Sequence, residues 1–271
     1  MDRIDLRFLF FDWDDNILHL DTKMNLDYLN DDNIWVPKTL NTSEYAIIRN
    51  DSRYRKTTST FTNFTDTGRL LGDVFLLDCI DSVNRKRFGP SYNAFKECLL
   101  NANLFFIITA RGHEPANIRR AIEYFIFTQF SRIELETMIN NIRYYFIEVY
   151  KKKVKNDSLL DLYLNKCGYT GTSSDSFISS INEKNVIDNV ELCKELAILK
   201  FVKKSIKITK KLESRLGHIS IGFSDDDPKN LKHISDVFRE KLKKEFNDVK
   251  FVVYDTSKNS DGTINYNKMV I

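Results

Sequence analysis

Two aspartates, Asp12 and Asp14, stand two residues apart at the end of a short apolar run, Phe8-Leu9-Phe10-Phe11. Burying a carboxylate pair without a cation is expensive, so such a pair is either solvated or holds a metal through its oxygens. Three further sets of chemically capable residues follow in a fixed order. Thr109 and Arg111 close the run Leu104-Phe105-Phe106-Ile107-Ile108. Lys194 stands near the start of the helical pattern Glu191 to Lys200, and Asp225-Asp226-Asp227 ends the run His218-Ile219-Ser220-Ile221-Gly222-Phe223-Ser224. Each has a plainer reading. Asp12 and Asp14 could be an acidic turn, Thr109 could cap the helix that Glu114-Pro115 begins, and most helix lysines are solvated.

The elements that position these residues are apolar runs without alternation, which read as strands buried on both faces of a parallel sheet. The acidic and hydroxyl residues then fall at the carboxyl ends of strands, where open α/β sheets place their chemistry. Asp, then Thr, then Lys, then Asp-Asp, each at a strand or helix terminus, resembles the four motifs of the haloacid dehalogenase (HAD) superfamily of phosphohydrolases. The motif residues are few, but their order spans nearly the whole chain.

The resemblance implies Mg²⁺-dependent hydrolysis of a phosphomonoester through an aspartyl-phosphate. Asp12 would be the nucleophile and Asp14 the group that protonates the leaving oxygen and then deprotonates water. Mg²⁺ would be held by the Asp12 carboxylate, the Asp14 backbone carbonyl and one of Asp225 or Asp226. Thr109 would donate to a phosphoryl oxygen, Lys194 would neutralise charge, and Arg111 is a candidate contact to the substrate phosphate. Lys-x-x-Ala-Ile-Leu from Lys194 looks like the third motif, with Lys200 as the alternative. Asp227, before Pro228, reads as the start of the next turn. Asn16 departs from the family pattern, in which Thr or Val usually stands four residues after the nucleophile. Asp14 is the residue that the dehalogenase branch lacks, so its presence favours phosphate chemistry. His19 and His113 lie near motifs and receive no role.

The implied fold is α/β: a Rossmann-like three-layer core with a parallel sheet, and a cap or flap inserted after the first strand. The core is expected over 1–19 and 88–271 and the insertion over 20–87. Alternating Thr and aromatic residues in Thr57 to Thr65 favour extended structure there. Helices are expected from Pro90 to Asn101, Pro115 to Phe130, Ser131 to Asn140, Val190 to Ser205 and Pro228 to Phe246. Arg143 to Tyr150 and Lys250 to Tyr254 read as strands, and Gly168 to Ser174 as a loop. A second insertion is expected at about 151–188, opening on Lys151, Lys152, Lys153 and Lys155. Those lysines read as a solvated charge run that could attract a polyanion.

Composition fits an ordinary globular chain of 271 residues, 42% hydrophobic and 29% charged, and its net charge of +3 is too small to argue nucleic-acid binding. Cys79, Cys98, Cys167 and Cys193 have no close spacing, which argues against zinc and for reduced thiols in a cytoplasmic setting. The apolar run at the amino terminus is too short for a signal peptide, and no stretch approaches a membrane span. Abundant Asn, Lys and Ile suggest an AT-rich coding sequence, which would suit a virus, a phage or an AT-rich microbe, with the host cytoplasm as the setting if viral. Expected substrates are a phosphorylated small molecule or nucleotide. An open flap would instead suit a nucleic-acid end, as in the 3′-phosphatase domains that accompany polynucleotide kinases, although no P-loop occurs here. The other alternative is an inactive HAD-fold binding or regulatory protein. A receiver domain is disfavoured, because there the acidic pair comes first and Thr and Lys follow the phosphoacceptor strand.

Overall fold

The computed structural model describes residues 3–66, 73–151, 158–181, 189–210, 212, 215–259 and 261–271. Its centre is a six-stranded sheet made of β1 (Ile4–Phe11), β5 (Leu104–Thr109), β6 (Gly168–Gly171), β7 (Leu216–Asp225), β8 (Val249–Asp255) and β9 (Asn267–Val270). The order is β6-β5-β1-β7-β8-β9. All pairs are parallel except β8 with β9, which adds an antiparallel edge. β1 therefore lies inside the sheet, with β5 and β7 as its neighbours.

Side-chain alternation along β1 shows why helices cover both faces. Phe10 stacks on Phe106 at 4.8 Å, and Phe201 of α8 (Val190–Thr209) packs on Phe106 at 4.6 Å. The next residue, Phe11, points the other way and meets Phe95 of α3 (Tyr92–Leu100), which also meets Phe105. Helix α9 (Pro228–Val237) packs on β7 and β8, and α4 (Pro115–Gln129) packs on β6. The fold is an α/β sandwich of three layers. Among the described residues, no helix is long and apolar enough to cross a membrane.

Between β1 and α3 the chain builds an antiparallel sheet, in the order β3-β2-β4, from β2 (Met24–Leu29), β3 (Trp35–Leu40) and β4 (Tyr54–Lys56). The helix α1 (Thr42–Ile48) starts at a reciprocal capping box between Asn41 and Glu44. Met24, Leu26 and Leu40 are buried here without joining the main core cluster. The extended structure expected at Thr57 to Thr65 is instead a run of turns ending in a 3₁₀ turn, Thr62–Phe64. Helix α2 (Asp73–Asn84), inside the span read as insertion, lends Phe75, Cys79 and Val83 to the main core.

Two further sequence expectations are corrected. Arg143 to Tyr150 is not a strand but the second half of α5 (Arg132–Tyr150), whose buried Met138, Ile142, Phe146 and Val149 recur at helical spacing. Gly168 to Gly171 is not a loop but β6, an edge strand paired with β5. Gly171 is needed there, because a Cβ would collide with the carbonyls of Arg111 and His113. The expected second insertion contains α6 (Leu159–Leu164), β6 and α7 (Asp175–Ser180). Lys152, Lys153 and Lys155 of the basic cluster lie outside the described residues.

Candidate active site

The carboxyl ends of β1, β5 and β7 converge because those strands are parallel neighbours, so residues 12, 109 and 225 meet at one sheet edge. Asn16 ties that edge together. Its Nδ2 donates to the carbonyls of Asp12 and Ser224, both at 3.1 Å, and its Oδ1 accepts from Thr256 at 2.8 Å and Ser224 at 3.2 Å. A fully buried amide with every partner supplied is a rigid strut between three strand ends. The sequence shows Asn16 only as a residue tolerable in a turn.

Lys194 is 2% exposed and enters this edge from α8. Its Nζ donates to Asp12 Oδ1 at 2.8 Å and to Asp225 Oδ2 at 2.6 Å. Lys200, the alternative, is exposed. Asp225 also accepts from the Asp227 backbone N–H at 2.9 Å and from Asn230 Nδ2 at 3.1 Å. Asn230 is absent from the sequence expectations; the only signal is its place in the first turn of a helix just after the acidic cluster. Asp227 caps α9 by accepting from the Lys229 N–H, which leaves Asp225 and Asp226 to face inward.

Carboxylate oxygens of Asp12, Asp225 and Asp226 lie within 4.8 Å of one another. Burial, with Asp225 and Asp12 beside it, pushes the Asp226 carboxyl up to about 9. Burial also raises Asp12, against the pull of Lys194. Burial works to discharge Lys194, but the two carboxylates on it hold its pKa above the ordinary lysine value. Lys194 thus bonds two of the three acids, and the burial and mutual repulsion that raise Asp12 and Asp226 are what a hard cation with oxygen ligands would offset. Asp12, Asp225 and Asp226 could hold it.

Asp14 turns away from this cluster. Its oxygens take a fork from Arg111, with Nε at 2.8 and 3.0 Å and Nη2 at 2.6 Å, and a further bond from Thr109 Oγ1 at 3.1 Å. The Arg111 guanidinium is therefore a buried partner of Asp14 rather than a cation open to solvent. Both neighbouring histidines pair with carboxylates: His19 with Asp15 at 2.9 Å and His113 with Asp66 at 2.7 Å.

The inserted segment reaches the same edge. Thr42, which opens α1, donates to Asp15 at 3.1 Å, and Arg49 lies 3.9 Å from Asp227. Asp15 is held at a φ of 55°, a left-handed conformation that turns the chain out of β1. Comparison of the chain with protein-family models, curated proteins and solved structures returns no match in any of the three.

Proposed function

We propose that the protein is a phosphohydrolase of the HAD type, hydrolysing a phosphomonoester with Mg²⁺ through an aspartyl-phosphate on Asp12. The observation that carries this reading is the sharing of Lys194 between Asp12 and Asp225, with Asp226 alongside, at the carboxyl edge of adjacent parallel strands. A divalent cation on those carboxylates supplies charge neutralisation and orientation of the phosphoryl group.

The chain's own residues then have these parts. Asp12 attacks phosphorus, with Lys194 offsetting the negative charge that builds between nucleophile and phosphate. Asp14 gives a proton to the leaving oxygen and later takes one from the attacking water. Thr109, whose hydroxyl donates to Asp14 here, would donate to a phosphoryl oxygen. The segment 20–66 acts as the cap: Thr42 and Arg49 bring it against the Asp15 and Asp227 loops, where it can govern which phosphomonoester enters.

The test is turnover of p-nitrophenyl phosphate, followed by a screen of nucleotides, sugar phosphates and 3′-phosphorylated oligonucleotides. We expect hydrolysis with Mg²⁺, loss of activity with excess chelator, and better restoration by Mg²⁺ than by Ca²⁺. A folded protein that is inert with Mg²⁺, or fully active in chelator, would overturn the proposal.

A further inference from the structure

Arg111 is held between two aromatic rings while it holds Asp14. Its guanidinium carbon lies 4.5 Å from the ring centre of Phe64 and 5.4 Å from that of Phe75. Its Nη2 donates to Thr22 Oγ1 at 2.6 Å as well as to Asp14, and the Thr22 hydroxyl donates in turn to Asp78. The next residue, Gly112, donates its N–H to the Phe64 carbonyl at 2.7 Å. Thr22 and Phe64 belong to the inserted segment; Phe75 and Asp78 belong to α2.

We infer that Arg111 is a positioning residue for Asp14, and that Thr22 and Phe64 let the inserted segment set, through Arg111, where that carboxylate points. The inference rests on the reading of Asp14 as the proton-transfer group. An aspartate carboxylate swings on two side-chain torsions. A planar fork onto both oxygens fixes its position and its plane. The fork is fixed in turn by the ring of Phe64 on the guanidinium and by the Thr22 hydroxyl at its end. Among the described hydrogen bonds neither Phe64 nor Thr22 bonds to Asp14 itself, and both contact the Arg111 guanidinium that does.

Position matters most in the step that needs the proton. An Asp12 oxygen bonds to phosphorus, the bond from phosphorus to the leaving oxygen breaks, and its electron pair stays on that oxygen. An alkoxide must receive the Asp14 proton as it leaves; a nitrophenolate departs without it. A misplaced Asp14 therefore slows phosphoenzyme formation selectively for alkyl esters, whereas the later deprotonation of water is slowed alike for both.

The experiment measures by rapid quench, with Mg²⁺, the rate of phosphoenzyme formation and its half-saturating substrate concentration for glycerol 2-phosphate and p-nitrophenyl phosphate, in the full chain and in Phe64→Leu, Thr22→Val and Arg111→Lys. Thermal unfolding first establishes which variants are folded. For Phe64→Leu we expect phosphoenzyme formation from the alkyl ester to slow about tenfold with its half-saturating concentration unchanged, while formation from the aryl ester stays within about twofold. Thr22→Val makes the same comparison from the other end of the fork and stands in if Phe64→Leu does not fold. Arg111→Lys keeps the charge without the fork and should lose more on the alkyl ester than either. Equal losses in phosphoenzyme formation from both esters, or a change in half-saturating concentration alone, would overturn the positioning role and leave the phosphatase reading intact. A folded wild-type chain that hydrolyses neither ester would overturn both.

Discussion

Two buried cation–carboxylate clusters lie on either side of one short loop, and they are built differently. Asp12 faces the Lys194 cluster, whose members come from β1, α8 and the β7 end, all elements of the main sheet and its helices. Asp14 faces the Arg111 cluster, which borrows Thr22 and Phe64 from the inserted segment. The first is a fixed part of the sandwich. The second depends on how the insertion docks. Chemistry common to many substrates belongs in the first, and selection among substrates can enter through the second.

The largest effect should come from the fixed side. Under the proposed function Asp12→Asn removes the nucleophile, so turnover and acid-stable phosphoenzyme should both disappear, read by product release and by labelling with a phosphorylated substrate. If label persisted in this variant, the nucleophile would lie elsewhere and the division between the clusters would collapse.

On the other side the loss should be partial. Asp14→Asn keeps the nucleophile but not the proton transfer, whose worth is on the order of 10²–10⁴-fold in rate. With an aryl ester the phosphoenzyme should form and then persist, because water is no longer deprotonated. Rapid-quench labelling checks this. Loss of labelling as complete as in Asp12→Asn would show that the two clusters act as one.

The smallest effect is expected where the insertion touches the fixed side by charge alone. The Arg49–Asp227 pair is long, and both partners are more than a third exposed. Such pairs contribute about 0–1 kcal/mol, so Arg49→Ala should hardly move the unfolding midpoint in urea. A large drop in stability would mean that this contact, rather than the Arg111 cluster, ties the insertion down.

Much of the sandwich is legible in the sequence, because buried parallel strands are written as continuous apolar runs: Phe8 to Phe11, Leu104 to Ile108, and Phe251 to Val253. The helical run beyond Lys194 is equally plain, and the structure singles that lysine out from Lys200 by burial. The failures have physical causes. In Arg143 to Tyr150, exposed Tyr144 and Ile147 fill in the gaps between Ile142, Phe146 and Val149, so a helical period looks like an unbroken strand. β6 is four residues long with a glycine at each end, and it is a strand only because β5 offers a free edge. Arg111 reads as a surface or substrate-binding cation, because its partner is 97 positions away and nothing local announces it.

Asp12 and the ammonium that balances it are 182 positions apart. At about 5–20 residues per second, a ribosome delivers Asp12 roughly 10–40 s before Lys194. Throughout that interval Asp12 has no Lys194 beside it, and the neighbouring strand β7 does not yet exist. A message cut short before α8 would yield half of the six-stranded sheet. Under the proposed function, the placing of Lys194 makes catalysis a late product of synthesis.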